Sequence, residues 1–295
     1  MNTSPVTEQI VYLNGEFLPM MEAQVSTQDR GFLFGDGVYE VIPVYQRQLF
    51  CFKEHLQRLK NSLQATSIAN PLTDQDWLQL LNDLIERHPW QDQFIYLQVT
   101  RGVQMQRDHL PADCLQPTIY AYTNPLQPVS DAVLTNGIKA ITLEDIRWMR
   151  CDIKAITLLP NIMMKLAAKA QGADDAILLS LDGYVNEGTA SNVFIVKDGY
   201  LITPPNGKRL LPGVTRLVIE RIAMNKQIPF KEAQISEQEL HQADEIWLSS
   251  STKEALPVTQ LDGKKVGTGK PGAIWHTMRD HYQQTKIALL TECAD

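Results

Sequence analysis

Four two-residue turn signals limit what this chain can fold into. They are Asn14-Gly15, Asp182-Gly183, Asp198-Gly199 and Asp262-Gly263. Both residues of such a pair accept a positive φ, which the tight turn of a β-hairpin requires. Three of the four pairs lie beyond residue 180, so the sequence predicts a C-terminal half that is dense in short antiparallel strands.

The N-terminal half mixes strands with amphipathic helices. The segments VYEVIPVYQRQLFCF, FIYLQVTR and TIYAYT have the composition and alternation of strands. KEHLQRLKNSLQ places leucines on one helical face, and Thr73 is a suitable N-cap for a second helix. Three further helices are expected in the C-terminal half, from about Pro160, after LPGVT and from about Ala273.

A linker is predicted at TNPLQPVSD, residues 123–131, because this stretch has two prolines, polar residues and no periodicity. The fold class is therefore α/β (α+β), with an N-terminal α/β domain at 1–122 and a C-terminal domain at 132–295. A cleft between two domains is a favoured place for a ligand.

Composition excludes several classes of function. The formal net charge of −7 argues against a nucleic-acid surface, and no stretch approaches the roughly 18 apolar residues of a membrane span. The opening MNTSPVTEQI lacks the basic and apolar segments of a secretory signal. The four cysteines show no CxxC spacing, which favours reduced thiols. These features predict a cytoplasmic protein with neither a membrane nor a nucleic-acid partner.

Lys154 stands in the apolar run of RCDIKAITLLPN, residues 150–161. From these neighbours alone, a surface lysine at the end of a strand is the simpler interpretation. If Ile153, Ile156 and Leu159 held the amine partly out of water, desolvation would lower its pKa and make it a nucleophile at neutral pH. Nucleophilic lysines form Schiff bases with carbonyl substrates and with pyridoxal phosphate.

Chemistry with pyridoxal phosphate also needs a group facing the pyridine nitrogen and a cradle for the phosphate. Glu187 follows a hairpin strand in VNEGTASN, and LPGVTR at 211–216 leads into a helix whose first N–H groups could bind phosphate. WLSSSTKE at 247–254 offers hydroxyls, and Arg58 offers a countercharge. Taken singly, they are more simply interpreted as a surface glutamate, a helix N-cap, a polar turn and a solvated arginine.

Taken in order, these motifs resemble the class IV, or fold-type IV, pyridoxal-phosphate-dependent aminotransferases. This family includes D-amino-acid and branched-chain aminotransferases and aminodeoxychorismate lyase. The resemblance runs from about Val11 to Gln284, and it is carried by LPGVTR together with DRGFLFGDGVYEV at 29–41, CDIK at 151–154 and NEGTASNVF at 186–194. It implies pyridoxal 5'-phosphate on Lys154, a smaller N-terminal α/β domain and a larger, strand-rich pseudo-barrel domain with helices.

Within the family the chain is most similar to the D-amino-acid branch. MQRDHLP places Arg107 and His109 one residue apart in the loop after FIYLQVTR. In that branch an Arg-x-His pair and the tyrosine of GDGVYE, here Tyr39, bind the substrate α-carboxylate, which an arginine fork suits well. Without the resemblance this segment would be an exposed polar loop. In the family the loop reaches the neighbouring subunit's site, which implies a homodimer.

The resemblance implies roles for the remaining residues. Glu187 is expected to pair with the protonated pyridine nitrogen, Leu211 to pack on one ring face and Tyr96 to line the substrate pocket. The phosphate is expected to be held by Arg58, Val214, Thr215, Ser250 and Ser251. Two positions depart from the family pattern: Ala190 stands where D-type members have serine, and Pro160 where relatives often have glycine. The first departure leaves the substrate range open.

The expected reaction transfers the amino group of D-alanine to 2-oxoglutarate and gives pyruvate and D-glutamate. Lys154 would act first as base and then as acid, which requires a pKa near the working pH. Alternatives on the same fold are L-branched-chain transamination, R-selective amine transamination and aminodeoxychorismate lyase, and GDGVYE and MQRDHLP count against them. A non-catalytic protein that kept the fold is opposed by the presence of both Lys154 and Glu187. A metal hydrolase is opposed by the lack of an HExxH motif.

Overall fold

The computed structural model describes residues 9–292, with side chains up to residue 288. The chain falls into two compact units. Unit 1 runs to Gln127 and also contains the segment Ile153–Thr157, whereas unit 2 contains Pro128–Asp152 and the chain from Leu158 onwards. The division after Gln127 falls inside the stretch 123–131 in which the sequence places a linker. The predicted domain boundaries stay a prediction.

Unit 1 contains a six-stranded antiparallel sheet with the order β2-β1-β6-β5-β3-β4. Its strands are β1 (Ile10–Leu13), β2 (Glu16–Pro19), β3 (Gly37–Tyr45), β4 (Gln48–Leu49), β5 (Gln93–Thr100) and β6 (Thr118–Pro125). A 3₁₀ turn spans Met20–Glu22, and the helices are α1 (Arg30–Phe34), α2 (Phe52–Ala65) and α3 (Asp74–Glu86). β1 and β2 form a hairpin across Asn14-Gly15, as predicted.

The core of unit 1 lies between one face of this sheet and the two longer helices. Alternate residues of β3 and β5, such as Val38 and Ile95, are buried together with Leu59 of α2 and Trp77 of α3. The predicted amphipathic helices are therefore confirmed, and Thr73 caps α3 through a capping box with Asp76. The sequence did not predict α1, because five residues are too few to show a helical period.

Unit 2 contains a nine-stranded mixed sheet with the order β12-β11-β10-β13-β14-β7-β8-β9, and β15 pairs with β14. The strands are β7 (Ile138–Glu144), β8 (Asp175–Leu179), β9 (Val185–Gly188), β10 (Asn192–Lys197), β11 (Tyr200–Thr203), β12 (Phe230–Glu232), β13 (Glu245–Ser250), β14 (Glu254–Leu261) and β15 (Lys264–Lys265). The helices are α4 (Asp131–Asn136), α5 (Leu159–Ala170), α6 (Val214–Asn225), α7 (Glu237–His241) and α8 (Ala273–Glu292).

The turn signals of the C-terminal half are confirmed, since Asp-Gly pairs join β8 to β9, β10 to β11 and β14 to β15. Strand-rich sheets combined with helices confirm the predicted fold class. The helices α5, α6 and α8 occur where the sequence predicts them, and α4 is a short helix that it did not predict. Every helix within residues 9–292 is too short or too polar to cross a lipid bilayer.

Candidate functional site

The backbone of Lys154 is fixed within unit 1. The amide of Tyr39 on β3 donates to the Lys154 carbonyl at 2.9 Å, and Ala155 forms a β-bridge with Val38. On the other side, the Lys154 amide donates to Ser62 Oγ of α2 at 3.2 Å. The lysine is thus held by both the sheet and the helix that cover the unit 1 core, which is what a residue of fixed position requires.

The Lys154 side chain lies beside Tyr39, and Tyr39 in turn contacts Tyr96; both tyrosines are predicted substrate-binding residues. Its Nζ is 4.1 Å from the centroid of the Tyr39 ring, and Tyr39 stacks on Tyr96 with 5.6 Å between ring centroids. Lys154 is half-buried and its neighbour Ile153 is buried, but Leu159 of the same apolar run is 66% exposed. Unit 1 therefore gathers Lys154, Tyr39 and Tyr96, while the apolar shielding expected of the run is incomplete.

Arg58 is a buried and oriented cation rather than a solvated one. Its Nε and Nη2 each donate to Glu40 at 2.8 Å, and His55 Nδ1 lies 2.8 Å from the same carboxylate. Burial acts to raise the pKa of Glu40, but the charge of Arg58 and the hydrogen bonds from Arg58 and His55 outweigh it and lower that pKa to about 2. Burial lowers the pKa of His55. The contact of Arg58 with a phosphate stays a prediction.

The pair Arg107 and His109 lies on the loop between β5 and β6, and both side chains are exposed. Phe34 of α1 brings them together. The Arg107 guanidinium is 4.9 Å from the Phe34 ring centroid, and the His109 ring centroid is 5.6 Å from it. Phe34, which belongs to the motif DRGFLFGDG, thus contacts both side chains of the Arg107 and His109 pair.

In unit 2, Glu187 on β9 is buried and not the surface glutamate of the simpler interpretation. Arg147 Nη1 donates to Glu187 Oε1. The other oxygen, Oε2, accepts hydrogen bonds from the Leu211 amide at 3.1 Å and from Asn192 Nδ2 at 3.2 Å. Burial raises the pKa of Glu187, and Arg147 opposes that rise.

Arg147 is shared between two carboxylates. It donates from Nε and Nη2 to Asp145 at 2.9 and 2.7 Å, in addition to its contact with Glu187. With both carboxylates ionised, this buried group carries one net negative charge, and a further cation beside Glu187 would oppose the rise that burial causes in the pKa of its carboxyl. A protonated pyridine nitrogen against Glu187 would be such a cation, so the donor set fits the predicted role.

The phosphate cradle predicted in unit 2 has the groups that it needs. α6 begins at Val214 after Gly213, and no side chain within residues 9–288 caps its first N–H groups. Such a helix start carries a partial positive charge and binds anions. Thr215 is buried at this end. Ser250 is the last residue of β13 and Ser251 follows it, and both are half-buried. Ser249 Oγ is buried with no hydrogen-bond partner among the described residues.

Asn192 joins these parts of unit 2. Besides its contact with Glu187, its Nδ2 donates to the Leu211 carbonyl at 2.8 Å, and the residue pairs with Ser249 across β10 and β13. A Cβ at Gly213 would collide with Asn192 Oδ1, so a larger residue next to the helix start would displace the Asn192 side chain. Asn192 therefore connects Glu187, Leu211 and the predicted phosphate cradle. This arrangement fits pyridoxal phosphate.

The two departures from the family pattern lie at ordinary positions. Pro160 is in the first turn of α5, where proline is tolerated, and Ala190 is exposed. The turn before Ala190 is held from both sides, since Thr189 Oγ1 donates to Asp175 at 2.5 Å and Asn161 Nδ2 donates to the Thr189 carbonyl at 2.8 Å. The consequence of Ala190 for the substrate range stays a prediction.

Comparison with known proteins gives one consistent result. The family model for class IV amino-transferases matches residues 37–261. A D-alanine aminotransferase from Staphylococcus aureus is 38% identical over 274 residues, which cover 93% of this chain and 96% of that protein. The crystal structure of the Escherichia coli branched-chain amino acid aminotransferase has a TM-score of 0.89 at 25% identity and 94% coverage of both chains. A hypothetical aminotransferase from Mycobacterium tuberculosis in its PLP-bound form has a TM-score of 0.83 at 25% identity, with coverage of 95% of this chain and 99% of that one.

Proposed function

The chain belongs to the class IV aminotransferase family, and on that premise we propose that it transfers the amino group of a D-amino acid to a 2-oxo acid. D-alanine and 2-oxoglutarate are the proposed substrates, and pyruvate and D-glutamate the products. The observation that carries the substrate class is the Arg107 and His109 pair arranged around Phe34. The similarity to D-alanine aminotransferases over nearly the whole chain supports the same class.

The family's cofactor is pyridoxal 5'-phosphate, which when bound supplies a carbonyl for the amine and a ring that withdraws electrons from the substrate α-carbon. Lys154 would hold the carbonyl end, and Glu187 the pyridine nitrogen. Leu211 would support one ring face. The phosphate would be held by Arg58, Val214, Thr215, Ser250 and Ser251.

The proton transfers and the binding of the substrate are carried out by side chains of the protein. Arg147 favours the charged form of Glu187, and Glu187 would hold a proton on the pyridine nitrogen. Lys154 takes the substrate α-proton at Nζ and later returns it, so one amine serves as base and then as acid. Arg107, His109 and Tyr39 bind the α-carboxylate, and Tyr96 lines the pocket for the side chain.

A homodimer in the cytoplasm is part of the proposal, with the Arg107 loop of one subunit completing the other subunit's site. Exposed apolar side chains are typical of a surface that binds another protein chain, so they support the proposed dimer. Met105 and Leu110 on the loop are 81% and 77% exposed. On α5 the exposed apolar residues recur at the spacing of one helical face, namely Leu159, Ile162, Met163 and Leu166.

Two variants test the proposal. Lys154→Ala is expected to abolish turnover of D-alanine, and retained turnover at a comparable rate would overturn the assignment. Arg107→Ala is expected to cripple turnover of D-alanine, because the carboxylate loses its bidentate partner. An Arg107→Ala enzyme that keeps its full rate would place the chain with amine transaminases, which need no carboxylate contact. Turnover of L-leucine but not D-alanine would place it with the branched-chain enzymes that it resembles in structure.

A further inference from the structure

Arg30 is bound to the loop that carries Arg107 and His109. Its side chain is buried, with 5% exposed. Nη1 donates to the Asp108 carbonyl at 2.7 Å, and Nη2 donates to the His109 carbonyl at 2.9 Å. Nη1 also donates to Gln104 Oε1 at 3.2 Å. One guanidinium therefore holds the two carbonyls that follow Arg107 in the chain.

Arg30 is itself held firmly. Its Nε donates to Asp36 Oδ2 at 2.8 Å, and its backbone amide donates to the Gly102 carbonyl at 2.9 Å. Arg101 binds the same carboxylate through Nε and Nη2, at 2.7 and 2.9 Å. The other contacts of the two arginines differ. Arg101 also donates to the carbonyls of residues 66 and 67 at the end of α2, and within the described residues it makes none of the loop contacts that Arg30 makes.

The loop depends on such contacts for its shape. Residues 101–117 form no helix and no named strand, and a loop that must be ordered at the moment of binding loses affinity to the entropy of ordering. Fixing the carbonyls of Asp108 and His109 fixes the peptide planes on both sides of His109. It also restricts the conformations of Arg107, one residue before Asp108.

We infer that Arg30 is a positioning residue that holds Arg107 and His109 in the geometry that binds the substrate carboxylate. The inference rests on the proposed role of that pair. Arg30 makes no contact with substrate, because its Nε, Nη1 and Nη2 are occupied by Asp36, the loop carbonyls and Gln104. Its effect is on the affinity for a carboxylate and not on the proton transfer at Lys154.

The test compares Arg30→Met with Arg101→Met in the holoenzyme, since both variants remove one arginine from Asp36. Propionate serves as a carboxylate that cannot donate an amino group, and its dissociation constant is measured by calorimetry. Arg30→Met is expected to weaken propionate and to raise the KM for D-alanine by roughly 10- to 100-fold, with kcat at saturation little changed. Arg101→Met is expected to stay within about twofold of wild type in both quantities.

Two further variants keep the outcome decisive. Arg30→Lys retains a charge at Asp36 but reaches only one of the two loop carbonyls, so an intermediate loss is expected even if Arg30→Met fails to fold. Equal losses in the Arg30 and Arg101 variants, or none in either, would overturn the inference. Arg107→Ala distinguishes an error in the proposed carboxylate site from an error in the positioning role of Arg30. If it leaves propionate binding intact, the proposed carboxylate site is wrong; if it weakens propionate while Arg30→Met and Arg30→Lys do not, only the positioning role is wrong.

Discussion

Glu40 is a buried carboxylate of unit 1 whose loss should be costly. Its side chain is 1% exposed, and it is the shared acceptor for Arg58 and His55. Glu40→Gln removes the negative charge and turns an amide N–H₂ toward at least one of two donors. Arg58 then loses the carboxylate that pairs with it in the folded protein, and removing one partner of a buried ion pair is costly.

The size of the loss follows from the pKa of Glu40, which falls from an ordinary 4.5 to about 2 in the folded protein. At about 1.4 kcal/mol for each pH unit, the ionised carboxylate contributes about 3 kcal/mol to the free energy of unfolding. Breaking a buried pair by removing one partner costs about 3–5 kcal/mol, in agreement with that figure. A folded pKa below the unfolded one stabilises the protein above about pH 4.5, and this contribution is lost as the pH falls toward 2.

The assay is urea denaturation of the holoenzyme at a fixed cofactor concentration, followed by circular dichroism at pH 7.5 and at several lower pH values. Glu86→Gln is the matched control, because Glu86 also pairs with an arginine, at 3.0 Å, but is 69% exposed. The control should lose less than about 1 kcal/mol. The reasoning is refuted if both variants lose the same stability, or if the loss in Glu40→Gln does not shrink as the pH falls from 4.5 toward 2.

Two other predictions concern the cofactor and the dimer. Arg147→Met should raise the dissociation constant of pyridoxal phosphate at least about tenfold in an absorbance titration, because the rise that burial causes in the pKa of Glu187 is then less opposed. The exposed Arg209→Met should have no such effect, and a similar loss in both variants would contradict the prediction. An equal mixture of the inactive Lys154→Ala and Arg107→Ala chains, unfolded and refolded together, should regain about one quarter of wild-type activity, because half of the random dimers contain one intact site. A mixture that stays inactive would show that each loop serves its own chain.

Much of the fold was predictable from local signals. Hairpin turns, helical periods and caps depend on residues that are close in sequence, and those predictions are confirmed at Asn14-Gly15, at Thr73 and in α5. The missed helices α1 and α4 have five and six residues, so they carry no measurable period. Short helices of this kind are fixed by tertiary contacts, as α1 is by the contacts of Arg30.

The site was only partly predictable, for a different reason. Single residues such as Lys154 and Glu187 belong to short motifs, whereas their partners come from distant parts of the chain. Arg147 precedes Glu187 by 40 residues, and its neighbour Asp145 makes the pair look like surface charges in the sequence. Glu40 did carry a readable signal, because it occupies an inward position of β3, between Val38 and Ile42, where a charge requires a buried partner.

The most direct test of the account is the visible spectrum of the purified protein after addition of pyridoxal phosphate, recorded before and after D-alanine and, in a separate sample, L-alanine. The account predicts a yellow absorption band that bleaches with D-alanine and persists with L-alanine. This result would support the cofactor, the transamination and the proposed role of Arg107 and His109 in binding a D-amino acid. Bleaching by L-alanine alone would contradict the D-amino-acid assignment, and a protein that forms no band with pyridoxal phosphate would contradict the role of Lys154.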